Sequence, residues 1–122
     1  MPYKIFHFKK LSSTNYRAKE LFNKNKKNFV VVSDTQTKGR GRFKRKWHSS
    51  PQSLWFSIAL APKSKTNPQY LTFIASIAVV KGIKKTTGLK TEVKWPNDVH
   101  IKNKKLCESK KFKPCISNYQ RR

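Results

Sequence analysis

Apolar and polar positions trade places from the start of the chain, where Tyr3 to Phe8 alternates enough to predict a strand. LSSTN, residues 11 to 15, then offers hydroxyl and amide side chains that cap a helix start, and Ala18, Leu21 and Phe22 give that short helix its apolar face. FVVVSDTQ, residues 29 to 36, is a β-branched run ending in polar residues, and SLWFSIALAP, residues 53 to 62, predicts a second buried strand stopped by Pro62. Further on, Leu71, Ile74, Ala75, Ala78, Val79, Gly82 and Ile83 recur at spacings of three and four. That is a helical period, with Asn67 as cap, Pro68 in the first turn and Gly88 just past the end. LKTEVKW (89 to 95), VHI (99 to 101) and KLC (105 to 107) read as short strands, joined by turns at Pro96-Asn97-Asp98 and Lys102-Asn103-Lys104. The predicted class is α/β of the α+β type, a central mixed sheet with helices packed on it. Residues 108 to 122, ESKKFKPCISNYQRR, lose all periodicity and are expected to form an unstructured basic tail.

Composition changes this picture in few places. A chain of 122 residues with 36% hydrophobic content allows one domain with a modest core. Its 29 basic residues against 5 acidic ones leave a formal charge of +24, a field that attracts any polyanion. Most of those bases are lysines spread from Lys4 to Lys113 rather than gathered in a stripe, which fits a solvated surface better than a dedicated nucleic-acid interface. No apolar run approaches the roughly 18 residues of a membrane span, and MPYKIFHFKK lacks the features of a signal peptide. A cytoplasmic protein without a membrane partner is expected. Cys107 and Cys115 match no common zinc spacing and read as free thiols.

Two stretches carry candidate chemistry. GRGRFKRKW, residues 39 to 47, connects two predicted strands and holds three of the chain's six arginines, Arg40, Arg42 and Arg45. Gly39 and Gly41 let the backbone approach a ligand closely, and the guanidinium forks suit carboxylate or phosphate better than ammonium groups do. An RNA-binding segment would also hold Arg, Gly and Phe, but it would usually repeat the unit. KWPND, residues 94 to 98, sets Asn97 and Asp98 behind a stiff Pro96. Asp98 could hold a magnesium ion or orient a cationic group, and the same residues would also make an ordinary β-turn. Lys105 follows seven positions later, where a short hairpin could bring its ammonium to the same place.

SSTN (12 to 15), SDTQTKGRGRFKRKWHSS (33 to 50), LWFSIAL (54 to 60) and KWPNDVHIKNKKL (94 to 106) together resemble the biotin-protein ligases, in order and in approximate spacing. The resemblance implies a class II synthetase-like catalytic domain and a two-step reaction. Biotin and ATP are the substrates of the first step, which forms biotinyl-AMP with Mg2+. The biotinyl group then passes to a lysine of a biotin carboxyl carrier protein or domain. Carried over by position, Ser13, Thr14, Asn15 and Gln36 match the biotin pocket, and Arg40, Gly41 and Arg42 match the core of the adenylate loop. Arg45 and Trp47 match the part of the loop that covers the adenylate, while Asn97 and Asp98 match the nucleotide and magnesium side. Lys105 matches the lysine that contacts ligand carboxylate and phosphate, so Arg42 and Lys105 are the expected catalytic charge stabilisers.

The resemblance also sets expectations about what departs from the family. HSSPQS, residues 48 to 53, stands where the family has a glycine pair, and Leu106-Cys107 runs directly into Glu108 where the family has a Gly-Ile-Leu strand. Residues 1 to 107 are therefore expected to be the N-terminal part of a ligase catalytic domain that is C-terminally incomplete. An inactive remnant with weak biotin or nonspecific polyanion binding is the alternative. The STN turn begins at Ser13, which argues against the winged helix that some relatives use to repress transcription, so no specific nucleic-acid partner is expected. Self-association as a homodimer is left open.

Overall fold

The computed structural model describes residues 3–25, 27–39, 53–61, 68–95 and 98–108. Arg40, Gly41, Arg42, Arg45, Trp47, Asn97 and Cys115 lie outside the described residues, as does the expected tail apart from Glu108, which ends a strand. The chain folds as two compact units. Among the described residues the strands make two three-stranded sheets, rather than the single central sheet expected, within the predicted mixed α/β class.

The first unit is built from β1 (Lys4–Leu11), α1 (Thr14–Asn25), β2 (Phe29–Gln36) and β3 (Trp55–Ala59). β2 is central, parallel to β1 and antiparallel to β3. β1 runs three residues beyond the predicted Phe8, because its ladder with β2 continues through Lys10↔Thr35 and Leu11↔Gln36. Alternation along β2 buries Phe29, Val31 and Ser33 on one face. Ala18 and Phe22 of α1 join Phe29, Val31 and Ala59 in the core there, with Phe6, Phe8, Leu11 and Leu21 packed against it. Phe6 and Phe29 meet edge to face at 5.6 Å, a favoured geometry for aromatic pairs. Ile5, Phe56 and Ile58 are exposed.

The second unit holds α2 (Pro68–Thr87) and the strands β4 (Glu92–Lys94), β5 (Asp98–Ile101) and β6 (Lys104–Glu108). α2 ends where the sequence predicts, at Gly88, whose φ of 77° favours a residue without a side chain. The Gly88 amide donates to the Lys84 carbonyl at 2.9 Å, which satisfies one of the last free carbonyls of the helix. Phe73 of α2 stacks at a tilt on Trp95, 5.0 Å away. Strands β4 to β6 pair with their sequence neighbours in an antiparallel meander, and Val99 at its centre is fully buried. Each of these strands pairs with a neighbour close in sequence, so the three make a sheet of their own. No helix among the described residues is long and apolar enough to cross a membrane.

Phe22 has only 3% of its surface exposed and sits between α1 and the sheet. Phe22→Ala is expected to cost about 3 to 5 kcal/mol, read as a shift of the urea midpoint without loss of the m-value.

Candidate active site

Two groups of polar side chains stand out, one in each unit. The first is built on the start of α1. Ser13 is the helix cap: its carbonyl accepts from the Arg17 amide at 3.2 Å, and its Oγ accepts from the Asn15 amide at 3.2 Å. The Thr14 amide is another of the donors that a helix start leaves without a partner. It donates to Oε1 of Gln36 at 3.0 Å, across from the last position of β2. Ser57 Oγ on β3 lies 2.8 Å from Thr14 Oγ1 and 2.5 Å from Asn15 Oδ1. Ser13, Thr14, Asn15 and Gln36 are thus brought together on a partly buried seam between helix and sheet.

Backbone pairing carries this group toward the basic stretch. The Thr37 amide donates to the Leu11 carbonyl at 3.0 Å, and the Lys38 amide donates to that of Ser12 at 2.7 Å. The segment after β2 therefore stays tied to the turn after β1 until Gly39, which is buried. Arg40 follows directly in sequence.

Ser57 was not singled out by sequence reasoning. Its signal is a polar residue at an inward position of LWFSIAL, two places before the buried Ala59 on the same face of β3. A hydroxyl there needs a partner, and the start of α1 supplies two acceptors.

The second group lies on the β5–β6 hairpin. Its two-residue turn puts Lys102 and Asn103 at φ values of 49° and 62°, as a type I′ turn requires. That turn pairs Ile101 with Lys104 and His100 with Lys105, so Lys105 shares a face with His100 and with Asp98 two residues earlier. Lys105 Nζ stands 3.7 Å from Asp98 Oδ1, and His100 Nε2 stands 3.9 Å from Asp98 Oδ2. At partial exposure such a pair orients the ammonium more than it stabilises the fold. A bulge at Leu106 then resets the alternation and brings Cys107 opposite Val99. His100 is a second residue that sequence reasoning missed, although a period of two from Asp98 puts it on the same face. Its Nε2 is buried without a hydrogen-bond partner among the described residues.

Sequence and fold comparisons agree on the relatives of this chain. The model of the Biotin/lipoate A/B protein ligase family matches residues 6–113. The bifunctional ligase/repressor BirA of Bacillus subtilis is 46% identical over 99 residues, covering 78% of this chain and 30% of that protein. A biotin protein ligase from Aquifex aeolicus, solved in complex with biotin and ATP, superposes with a TM-score of 0.75 at 36% identity, over 84% of this chain and 43% of that one. The ligase from Leishmania major, solved with biotinyl-5-AMP, shares the fold at a TM-score of 0.76 and 23% identity, over 86% of this chain and 50% of that one. The chain thus spans less than a third of the curated relative and about half of the solved ones.

The cap on Thr14 can be tested without any ligand. Gln36→Leu strands a buried amide and is expected to lower unfolding stability by about 1 to 3 kcal/mol. Gln36→Glu keeps an acceptor oxygen in the same place and should lose much less, as measured by urea denaturation of both variants.

Proposed function

We propose that this chain, which belongs to the biotin/lipoate A/B protein ligase family, activates biotin with ATP and passes it to a lysine of a carrier domain. The observation that carries this reading is the joining of Ser13, Thr14, Asn15 and Gln36 into one hydrogen-bonded group at the start of α1. Those are the positions that match the biotin pocket of the biotin-protein ligases. The relative from Aquifex aeolicus, which was solved with biotin and ATP, supports the choice of substrates.

In the first step a biotin carboxylate oxygen attacks the α-phosphorus of ATP and pyrophosphate leaves. In the second, the carrier lysine's amine attacks the acyl carbon, AMP leaves, and the amine gives up a proton. Both reactants of the first step are anions, so the site must offset their repulsion and stabilise charge growing on phosphorus. Arg42 and Lys105 are assigned that role. Arg40 and Gly41 contact the same ligand, and Arg45 with Trp47 covers the adenylate and keeps water from the mixed anhydride. The Asp98 carboxylate stands 3.7 Å from the Lys105 ammonium. The overall charge of +24 raises the local concentration of ATP without adding specificity.

Asn97 and Asp98 face the nucleotide in this reading, and Asp98 is the assigned magnesium contact. Among the described residues Asp98 is a lone carboxylate there, with the Lys105 ammonium 3.7 Å away, so a magnesium ion would have to draw its other oxygen ligands from phosphate and water. When bound, it would neutralise charge on the triphosphate.

Biotin-dependent exchange of labelled pyrophosphate into ATP tests the first step alone. The wild-type chain is expected to exchange, and Arg42→Ala and Lys105→Met should each reduce the rate by about 100-fold or more while leaving the melting temperature within a few degrees. A folded wild-type chain without exchange, or an Arg42→Ala variant that exchanges normally, would refute the assignment.

A further inference from the structure

The β4–β6 sheet holds a polar atom that the proposed reaction leaves unexplained. Register along this sheet puts Asp98 and His100 on one face, with Lys94 and Glu92 across from them on β4 and Lys105 across from His100 on β6. His100 has 18% of its side-chain surface exposed, and its Nε2 is buried with no hydrogen-bond partner among the described residues. A ring nitrogen in that position costs free energy, because it has given up water and gained no bond in exchange. Asp98 Oδ2 stands 3.9 Å from it, while Asp98 Oδ1 stands 3.7 Å from the Lys105 ammonium. Both separations exceed a closed hydrogen bond, so the carboxylate lies between an ammonium and an imidazole and is closed onto neither.

Withdrawing the cation changes the balance. A carboxylate with 24% of its side-chain surface exposed needs another donor once its ammonium neighbour turns away. Lys94 is exposed and would have to give up water to supply one, whereas His100 Nε2 has already given it up. The neutral imidazole with its proton on Nε2 is a sufficient donor, so no change of charge is required. We propose that His100 is a positioning residue, a reserve partner that takes Oδ2 of Asp98 when Lys105 turns from Asp98 to an anionic ligand. The hand-over keeps the carboxylate from drawing the ammonium back off the ligand. The ligand half rests on the reading above, in which Lys105 meets carboxylate and phosphate, while the reserve itself rests on the geometry of this sheet alone.

Proton NMR of the full chain tests the reserve without any ligand, because an imidazole N–H held in a hydrogen bond gives a downfield signal that exchanges slowly with water. The wild-type chain is expected to show no such signal from His100. Lys105→Met, which removes the ammonium, should produce one, and Asp98→Ala in that same background should abolish it, as His100→Leu does. Adding ATP and biotin to the wild-type chain should bring up the same signal. In pyrophosphate exchange, His100→Leu should lower kcat/KM by about tenfold, the worth of one hydrogen bond, with the melting temperature unchanged or raised, since an apolar group replaces an unsatisfied nitrogen. His100→Gln, whose amide nitrogen takes the place of Nε2, should recover most of that loss. A Lys105→Met chain without the signal, or one whose signal survives Asp98→Ala, overturns the reserve, as does a His100→Leu chain that loses exchange and melting temperature in parallel. A signal that appears in Lys105→Met but not in the wild-type chain with ATP and biotin supports the reserve and overturns the assignment of Lys105 to the ligand.

Discussion

The bond from the Thr14 amide to the Gln36 side chain is the constraint on which the rest of the first unit turns. A helix start leaves its first amides without partners, and Thr14, with 4% of its surface exposed, has little access to water. The acceptor comes from the last residue of β2, whose place is set by the parallel ladder with β1 through Leu11↔Gln36. A slip of one residue in that ladder would turn Gln36 to the other face and strand the amide. Strand register and helix cap are therefore one condition rather than two.

The second unit reaches the same end by a different route. No helix cap is involved. The type I′ turn at Lys102 and Asn103 sets the register of the hairpin, and register alone puts Asp98, His100 and Lys105 on one face. Two non-glycine residues in the left-handed region carry a steric cost, which Asn tolerates better than Lys. The pairing of Ile101 with Lys104 and His100 with Lys105 across so short a turn offsets that cost.

Elements with a strong period were legible in the sequence. The spacing of Leu71 to Ile83 and the glycine after it marked α2 almost to the residue, and FVVVSDTQ marked β2 because β-branched residues fit a half-buried pleat. LSSTN announced the start of α1 by its side chains. The ladder partners were not legible, because periodicity says which face a residue takes and nothing about which strand lies beside it. For that reason the extension of β1 to Leu11 and the division of the strands into two sheets came only with the structure. In the candidate site, Ser13, Thr14, Asn15 and Gln36 were found through motif resemblance. Ser57 and His100 were missed, since each earns its place through a partner on another strand or helix.

The proposed reaction needs two kinds of recognition, and the chain separates them. A field of +24 draws in carboxylate and triphosphate alike, but it cannot tell one uncharged ring from another. Ring identity has to be read by neutral donors and acceptors whose orientation is held from behind, because an amide free to turn over offers either end at small cost. Ser13 and Thr14 are buried at the start of α1, and the Ser57 hydroxyl contacts Thr14 and Asn15 there. Charged side chains such as Lys105 can stay on a partly exposed hairpin, since a carboxylate neighbour is enough to aim them.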